Sequence, residues 1–384
     1  MAEPWTRRLT WLLCTVVVTG YAIVMLAVES ELAVLALMAA AVALVVTAGR
    51  TGLGAWIGGA FADDRALNGA AVIGVLALTA AFYEDHFALL MVATVLLFVV
   101  VCLGLNIQFG YAGILNFAGA AFFGAGCYTA AVLTQHTALP HLLVILAGGV
   151  VAALLGSLLI WPVLRTRGHY AALVTIAFAL LFKTFLEVND ALGGPQGLKV
   201  AGMSVLGWDF NSNIEIGEDI EISFYVNYVV AALALLVLAF TFTRRLERSW
   251  IGLNLDAIRL DETAAACFGN DVARWKITAF TAGNMLAGMA GALYGMMVGF
   301  IAPTSFTFGD SLIFVSIVLL GGIGSPWGVV VAAAIVVMLP EKLQIIQEYR
   351  FLLFASLVIM ILLYRPDGIV PRRLRSYFPG WRPR

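Results

Sequence analysis

The chain of 384 residues is 62% hydrophobic and only 12% charged; its 22 basic and 23 acidic side chains leave a formal net charge of −1, and its mean hydropathy is +0.98. Soluble domains carry about 25% charged residues, so the composition excludes a soluble enzyme and, without a basic surface, a nucleic-acid-binding domain. The reading is an integral membrane protein.

In chain order, apolar runs recur at 9–28, 32–48, 68–82, 88–105, 113–134, 141–163, 171–188, 224–243, 277–299, 310–322, 325–340 and 350–364. Several reach the ~20 residues that a bilayer-spanning helix needs, and the shorter ones suit half-helices or re-entrant pieces. The expected fold is an all-α polytopic bundle of about ten to twelve spans with broken, Gly-rich segments. "MAEPWTRRLTWLLCTVVVTGYAIVMLAVES" opens with the basic flank of a secretory signal, but its apolar part is long and no small-residue cleavage site follows, so it reads as a retained first span. Cys14, Cys102, Cys127 and Cys267 are scattered and read as small apolar fillers, not as a disulfide or metal framework. Alternating the spans from an inner N-terminus puts about 18 of the 22 Lys and Arg on one side, which makes that side cytoplasmic and places both termini there.

"GLNIQFGYAGILNFAGAAFFGAGCY", Gly104 to Tyr128, is dense in glycine and interrupted by Asn106, Gln108 and Asn116. Irregular backbone at membrane depth is tolerated only where it is buried in protein or lines a cavity. Amides there are expensive unless they meet one another, water or a substrate. Two readings stand. One is a broken helix lining a transport path, with Asn106, Gln108, Tyr111, Asn116, Phe117, Phe123 and Tyr128 as candidate residues; in the other, the glycines simply permit tight packing.

Lys183 lies towards the outer end of its run with Glu187 one turn away, which predicts a snorkelling, paired lysine. His86, His136, His141 and His169 stand near span ends with no ligand spacing and read as interfacial. The outer loop 189–222 carries Asp190, Asp209, Glu215, Glu218, Asp219 and Glu221 against Lys199 alone. It is either a solvated face or a docking surface for an external partner.

The segment Ile251 to Lys276 is the longest inner loop. Leu253, Ala257, Leu260, Ala264 and Cys267 recur at spacings of four and three, which predicts one apolar helical face with Phe268 beside it. Asp256, Arg259 and Glu262 follow at i,i+3 and can pair weakly, at ~0.2–0.5 kcal/mol each; Gly269 and Asn270 form a stop. The prediction is one short amphipathic helix across the cytoplasmic surface. Its polar face is acidic apart from Arg259, which disfavours an anionic lipid surface and favours a helix-in-groove contact with a cytoplasmic protein.

In "GNMLAGMAGALYGMMVG", Gly283, Ala287, Gly291, Gly295 and Gly299 fall every fourth residue and form a smooth ridge for close helix crossing. "GGIGSPWG" is a second interruption, with Gly321, Gly322, Gly324 and Pro326 as hinge candidates, since proline cannot donate a backbone hydrogen bond. Two Gly-interrupted segments in corresponding positions of two halves hint at an internal repeat meeting at a central path. The P-loop pattern is absent, as is any Ser, His and Asp arrangement, so the chain supplies neither its own ATPase nor other enzymatic chemistry.

"DETAAACFG" is similar to the coupling element of ABC-importer permeases, in which an acidic residue, two alanines and a glycine dock into the ATPase subunit. Those positions are Glu262, Ala264, Ala265 and Gly269 here, with Arg259, Asp261 and Phe268 as neighbours. Together with "GLNIQFGYAGILNFAGAAFFGAGCYTAAVL", "GGPQGL", "LAGMAGALYG" and "GGIGSPWG", in order and spacing, the chain from about Leu89 to Pro371 resembles the LivM-type permeases of branched-chain amino-acid ABC importers. The resemblance implies N-terminal spans at 1–87, a permease core at 88–371 containing the external loop 189–222 and a coupling loop 244–276, and a cytoplasmic tail at 372–384. It implies a bacterial plasma-membrane location, a second homologous, LivH-like permease, two ATP-binding subunits that hold ATP and Mg, an external substrate-binding protein and surrounding lipid. It implies no cofactor, metal or catalytic residue in this chain, and no nucleic acid. The implied cargo is branched-chain or related small hydrophobic amino acids, although relatives carry amides, urea or aromatic acids. The rival is an ATP-independent secondary transporter or channel, which predicts intramembrane acids or bases that the chain offers hardly at all beyond Lys183. A structural membrane subunit that carries nothing is a third reading, for which the broken polar segments would have no purpose.

Overall fold

The computed structural model describes residues 4–28, 64–166, 170–205, 207–216 and 220–342, with scattered positions among 30–40 and 349–372. The runs expected at 32–48 and 350–364 lie largely outside the described residues, as do His169, Glu218 and Asp219. In chain order the helices are α1 (Pro4–Ala27), α2 (Asp64–Ala81), α3 (His86–Asn106), α4 (Gly119–His136), α5 (His141–Arg165), α6 (Tyr170–Val188), α7 (Tyr225–Arg248), α8 (Trp250–Leu260), α9 (Glu262–Cys267), α10 (Val272–Val298), α11 (Phe308–Gly321) and α12 (Pro326–Lys342). Strands of two or three residues occur only within 198–222 and at Phe300–Ile301 among the described residues, so the fold is the expected all-α helical membrane bundle.

Among the described residues five helical stretches are long and apolar enough to cross a bilayer: His86–Tyr111, His141–Arg165, Tyr170–Val188, Tyr225–Arg248 and Pro303–Gly321. The first spans 26 residues, about 39 Å at 1.5 Å per residue, against a hydrocarbon core of about 30 Å. Helix α10, with 27 residues, is as long, but its glycines and Asn284 dilute its hydropathy.

Two compact units form. One comprises Met1–Ala93, Asn213–Leu233 and Met338–Glu348. In it α1 packs along α2, Lys342 Nζ donates to the carbonyls of Leu26 and Val28 at 2.5 and 3.3 Å, and the His86 ring lies edge-on to Phe224 and Tyr225. Part of the expected outer loop forms two short antiparallel strands here, with Glu215 opposite Glu221.

The other unit comprises Thr94–Ser212, Ala234–Val337 and Tyr349–Arg384. Its centre is α10 packed against α4 and α5. Gly104 faces Gly283, Gly126 faces Gly288 and Gly148, and Gly291 faces the Phe123 carbonyl; a Cβ built on any of these glycines runs into backbone atoms or, at Gly148, a neighbouring methyl and carbonyl. Helix packing in lipid depends on such close approach, because apolar side chains gain little over lipid tails. The glycines of the ridge are nevertheless unequal: a Cβ on Gly295 meets only ordinary van der Waals contacts at 3.4–3.5 Å, near Cys127. Gly291→Ala is therefore expected to destabilise by about 1–3 kcal/mol through overpacking, whereas Gly295→Ala gains helix propensity at no steric expense. Thermal unfolding of the purified protein in detergent should show a lowered midpoint for the first and an unchanged or raised one for the second; equal effects would refute the assignment. Gly299 closes α10 at φ +75, a left-handed conformation that favours glycine.

The described residues 189–205 and 207–212 of the expected outer loop belong to this unit. Gly193, Gly194 and Gly197 of "GGPQGL" all have positive φ, and the turn they make sets Leu198 opposite Ile301 in a short antiparallel pair. Lys183 Nζ lies 3.3 Å from Glu187 Oε1 in the predicted i,i+4 pair.

Candidate functional site

The first break follows α3. Ile107–Tyr111 winds as a π-helical turn, Ala112 N–H donates to the Ile107 carbonyl at 3.2 Å and Ile114 N–H to the Gln108 carbonyl at 2.9 Å. Gly113 turns the chain out of the helix at φ +68, and residues 112–118 are non-helical until α4 begins. Single π-turns are rare and concentrate at functional sites. The backbone donors freed by the break are met by side chains: Phe117 N–H by Thr175 Oγ1 at 3.0 Å, Ala118 N–H by Asn116 Oδ1 at 2.9 Å and Ala120 N–H by Ser311 Oγ at 3.0 Å. Such compensation is what makes unwound backbone tolerable at membrane depth.

Two of the three amides that interrupt the apolar stretch meet each other. Asn106, Gln108 and Asn116 are fully buried. Asn116 Nδ2 donates to Gln108 Oε1 at 2.7 Å, and Gln108 Nε2 donates to Asn284 Oδ1 at 2.8 Å and to the Phe280 carbonyl at 3.0 Å. Asn284, on α10, is a member that the sequence reading passed over. Its one signal there is a lone amide beside Gly283 in an otherwise Gly/Ala/Met ridge. Across the interface stands Gly156, where any side chain would collide with the Asn284 amide.

Asn106 works elsewhere: its Oδ1 accepts the Gly324 N–H at 2.7 Å. The two sequence interruptions thus touch, and a Cβ on Gly110 would lie 2.5 Å from Gly324 Cα. In the second break Gly322 and Gly324 have φ of +108 and +86, Gly321 presses on Gly328, and Pro326 opens α12 at a position where its missing N–H is harmless. The remaining candidates fall apart from the amides. Phe123 stands in an aromatic cluster with Phe98, Tyr294, Phe306 and Phe314 at ring separations of 5.2–6.2 Å; Tyr128 is 6.0 Å from Phe306, and half-buried Phe117 is 6.1 Å from Phe109.

The single amphipathic helix expected over Ile251 to Lys276 is two helices. Ser249 begins α8 by accepting from Gly252 N–H. At Asp261 the chain is extended, with φ −157 and ψ 108, and its carboxylate accepts from Thr263 and Ala264 N–H at 2.9 and 3.0 Å. An aspartate at such a position outcompetes helix continuation by satisfying the free donors of the next turn. Helix α9 ends as the sequence suggests: Asn270 N–H bonds to the Ala265 carbonyl and Gly269 N–H to that of Ala266, a Schellman closure with Gly269 at φ +83. The predicted face is not packed on the chain. The side chains turned inward are Leu255, Ile258 and Ala265, whereas Leu260 and Phe268 are 73% and 90% exposed and Leu253, Ala264 and Cys267 are also open. The expected i,i+3 pairs are weak or replaced. Arg259 is 3.9 Å from Asp256, because Asp256 has a better partner, and Glu262 pairs with Lys276 at 2.5 Å. The Arg259 stem instead lies over Gly113 of the first break.

The better partner is Arg372, placed by the sequence reading at the head of a tail. Ile369 and Val370 N–H donate to the carbonyls of Leu320 and Gly321, which lays the chain along the second break. Arg372 then forms a two-pronged ion pair with Asp256 at 2.6 and 2.9 Å and stands 3.5 Å from Glu247. Its guanidinium lies 4.5 Å from the centre of the Tyr111 ring and contacts the Gly110 carbonyl at 3.4 Å. Burial disfavours its charge, but the hydrogen bonds and charge of Asp256 outweigh that and raise its pKa above the ordinary value.

A family model described as "Branched-chain amino acid transport system / permease component" matches residues 87–364. The chain is 34% identical over 290 residues to the high-affinity branched-chain amino acid transport system permease protein LivM of Salmonella typhimurium, covering 72% of this chain and 68% of that protein. It is 24% identical over 332 residues to the probable LivM permease of Methanocaldococcus jannaschii, covering 91% of it. It is also 23% identical over 289 residues to the LivH permease of Salmonella typhimurium, again covering 91%. No solved structure matches.

Proposed function

We propose, on the premise that this chain belongs to the branched-chain amino acid transport permease family, that it moves branched-chain or related small hydrophobic amino acids inward. It is a multi-pass, non-catalytic permease subunit of an ABC importer. In our reading it pairs with a second, LivH-like permease in a bacterial plasma membrane, with both termini cytoplasmic. An external binding protein delivers the substrate, and two partner subunits bind ATP and Mg.

The observation that carries this reading is the segment α8–α9. It is closed at its ends by caps, yet it leaves Leu260 and Phe268 uncovered in a part of the chain too short to cross lipid. Exposed apolar side chains ringed by charge mark protein interfaces, and the first break lies directly behind, under Arg259. ATP binding draws the partner subunits together, shifts α8–α9 and alters the broken segment, whose buried amides are the polar groups nearest to hand for an opening path.

Purification from native membranes is expected to yield a second permease and two ATP-binding subunits, with ATP hydrolysis stimulated by the substrate-loaded binding protein. Uptake should stop when ATP is depleted and ion gradients are kept. Uptake that continues under those conditions would establish the rival, a secondary transporter.

A further inference from the structure

We infer that Arg372 is a positioning residue of transport: it ties the α8–α9 segment to both backbone breaks, so that displacement of that segment is conveyed to them rather than dissipated. This inference rests on the coupling role proposed for α8–α9. Five features meet around this one side chain. Asp256 on α8 holds it by two short hydrogen bonds, at 2.6 and 2.9 Å. Glu247, in the last turn of α7, is 3.5 Å away. The Tyr111 ring and the Gly110 carbonyl belong to the π-helical turn. Gly324 of the second break must lack a side chain, because a Cβ there would lie 2.5 Å from Arg372 Cδ.

The surroundings make the tie strong. The Arg372 side chain is 9% exposed and those of Asp256 and Glu247 are 16% and 14%, so the charges are little screened by water. Removing one member of such a buried pair leaves the other uncompensated, which resists their separation during movement. The backbone of the same segment is anchored to Leu320 and Gly321, so a pull on Asp256 acts against a fixed point in the second break. Arginine suits the place and lysine does not. Only a planar fork can bind a carboxylate with two parallel bonds while presenting its face to a tyrosine ring.

The test uses the complete importer in proteoliposomes with its binding protein and ATPase subunits, comparing wild type with Arg372→Lys, Arg372→Gln, Asp256→Asn and the exchanged pair Arg372→Asp/Asp256→Arg. The readout is substrate transported per ATP hydrolysed, alongside ATPase-subunit content and thermal midpoint. The expected result is a fall of about tenfold or more in transport per ATP for Arg372→Gln, with ATPase subunits bound at wild-type stoichiometry, and an intermediate loss for Arg372→Lys, which keeps charge without the fork. Partial recovery in the exchanged pair would add support. A wild-type ratio in Arg372→Gln overturns the inference. So does a parallel loss of transport and hydrolysis that merely follows a lower midpoint, since that marks Arg372 as structural only. Failure of the underlying coupling reading looks different: there the wild-type complex itself would lack bound ATPase subunits or take up substrate without ATP.

Discussion

Phe268→Asp is expected to detach the ATP-binding subunits and abolish ATP-driven uptake while leaving the permease folded. Phe268 is 90% exposed and sits just before the left-handed Gly269, so it contributes nothing visible to the packing of its own chain. Truncating an aromatic anchor at the centre of an interface typically costs 2–4 kcal/mol, a 30- to 1,000-fold loss of association at about 1.4 kcal/mol per factor of ten. A buried carboxylate without a partner adds to that loss. Leu260→Asp should act in the same direction. Ala265→Arg is a weaker test than the sequence suggests, because Ala265 is buried within the segment and the substitution would disturb α9 itself. Co-purification of the ATPase subunits, with the thermal midpoint of the permease as control, decides the matter. Wild-type co-purification of Phe268→Asp would sink the docking role.

The second large effect is expected at Gln108. Its amide bridges Asn116, Asn284 and the Phe280 carbonyl in the buried interior, so Gln108→Leu deletes three hydrogen bonds and leaves the Asn116 and Asn284 side chains only their own longer contact at 3.3 Å. A buried polar group left under-satisfied costs about 1–3 kcal/mol, and the surviving Asn116–Asn284 bond keeps the expected loss within that range. The variant should unfold at a markedly lower temperature and lose uptake, and Gln108→Glu should be worse at neutral pH because it places an unpaired charge in the same site. If Gln108→Leu unfolded and transported as wild type does, the amide network would be neither a lock on the broken helix nor part of a path.

The two breaks were legible in sequence, because glycine and proline mark where a helix cannot continue and amides are conspicuous in apolar runs. The Schellman stop at Gly269 and the Lys183–Glu187 pair were legible too, since both are settled within five residues. Asp261 was visible as an acidic neighbour but not as a helix start: Leu260 and Ala264 kept the period of a single helix across it, and only the backbone conformation distinguishes the two. Asn284 was hidden inside a glycine ridge that explains itself by packing.

Composition, hydropathy period and local capping chemistry by themselves determine that this is a helical membrane protein, where its helices break, and that one charged segment separates two apolar runs, and the motif resemblance adds the permease family. Those properties depend on short-range interactions and on the absence of water in lipid. Only the tertiary structure decides which polar groups satisfy one another. Asp256 finds Arg372 across 116 positions of chain and Gly110 finds it across 262, because a buried charge or amide must be paired while nothing in a linear pattern says with which residue.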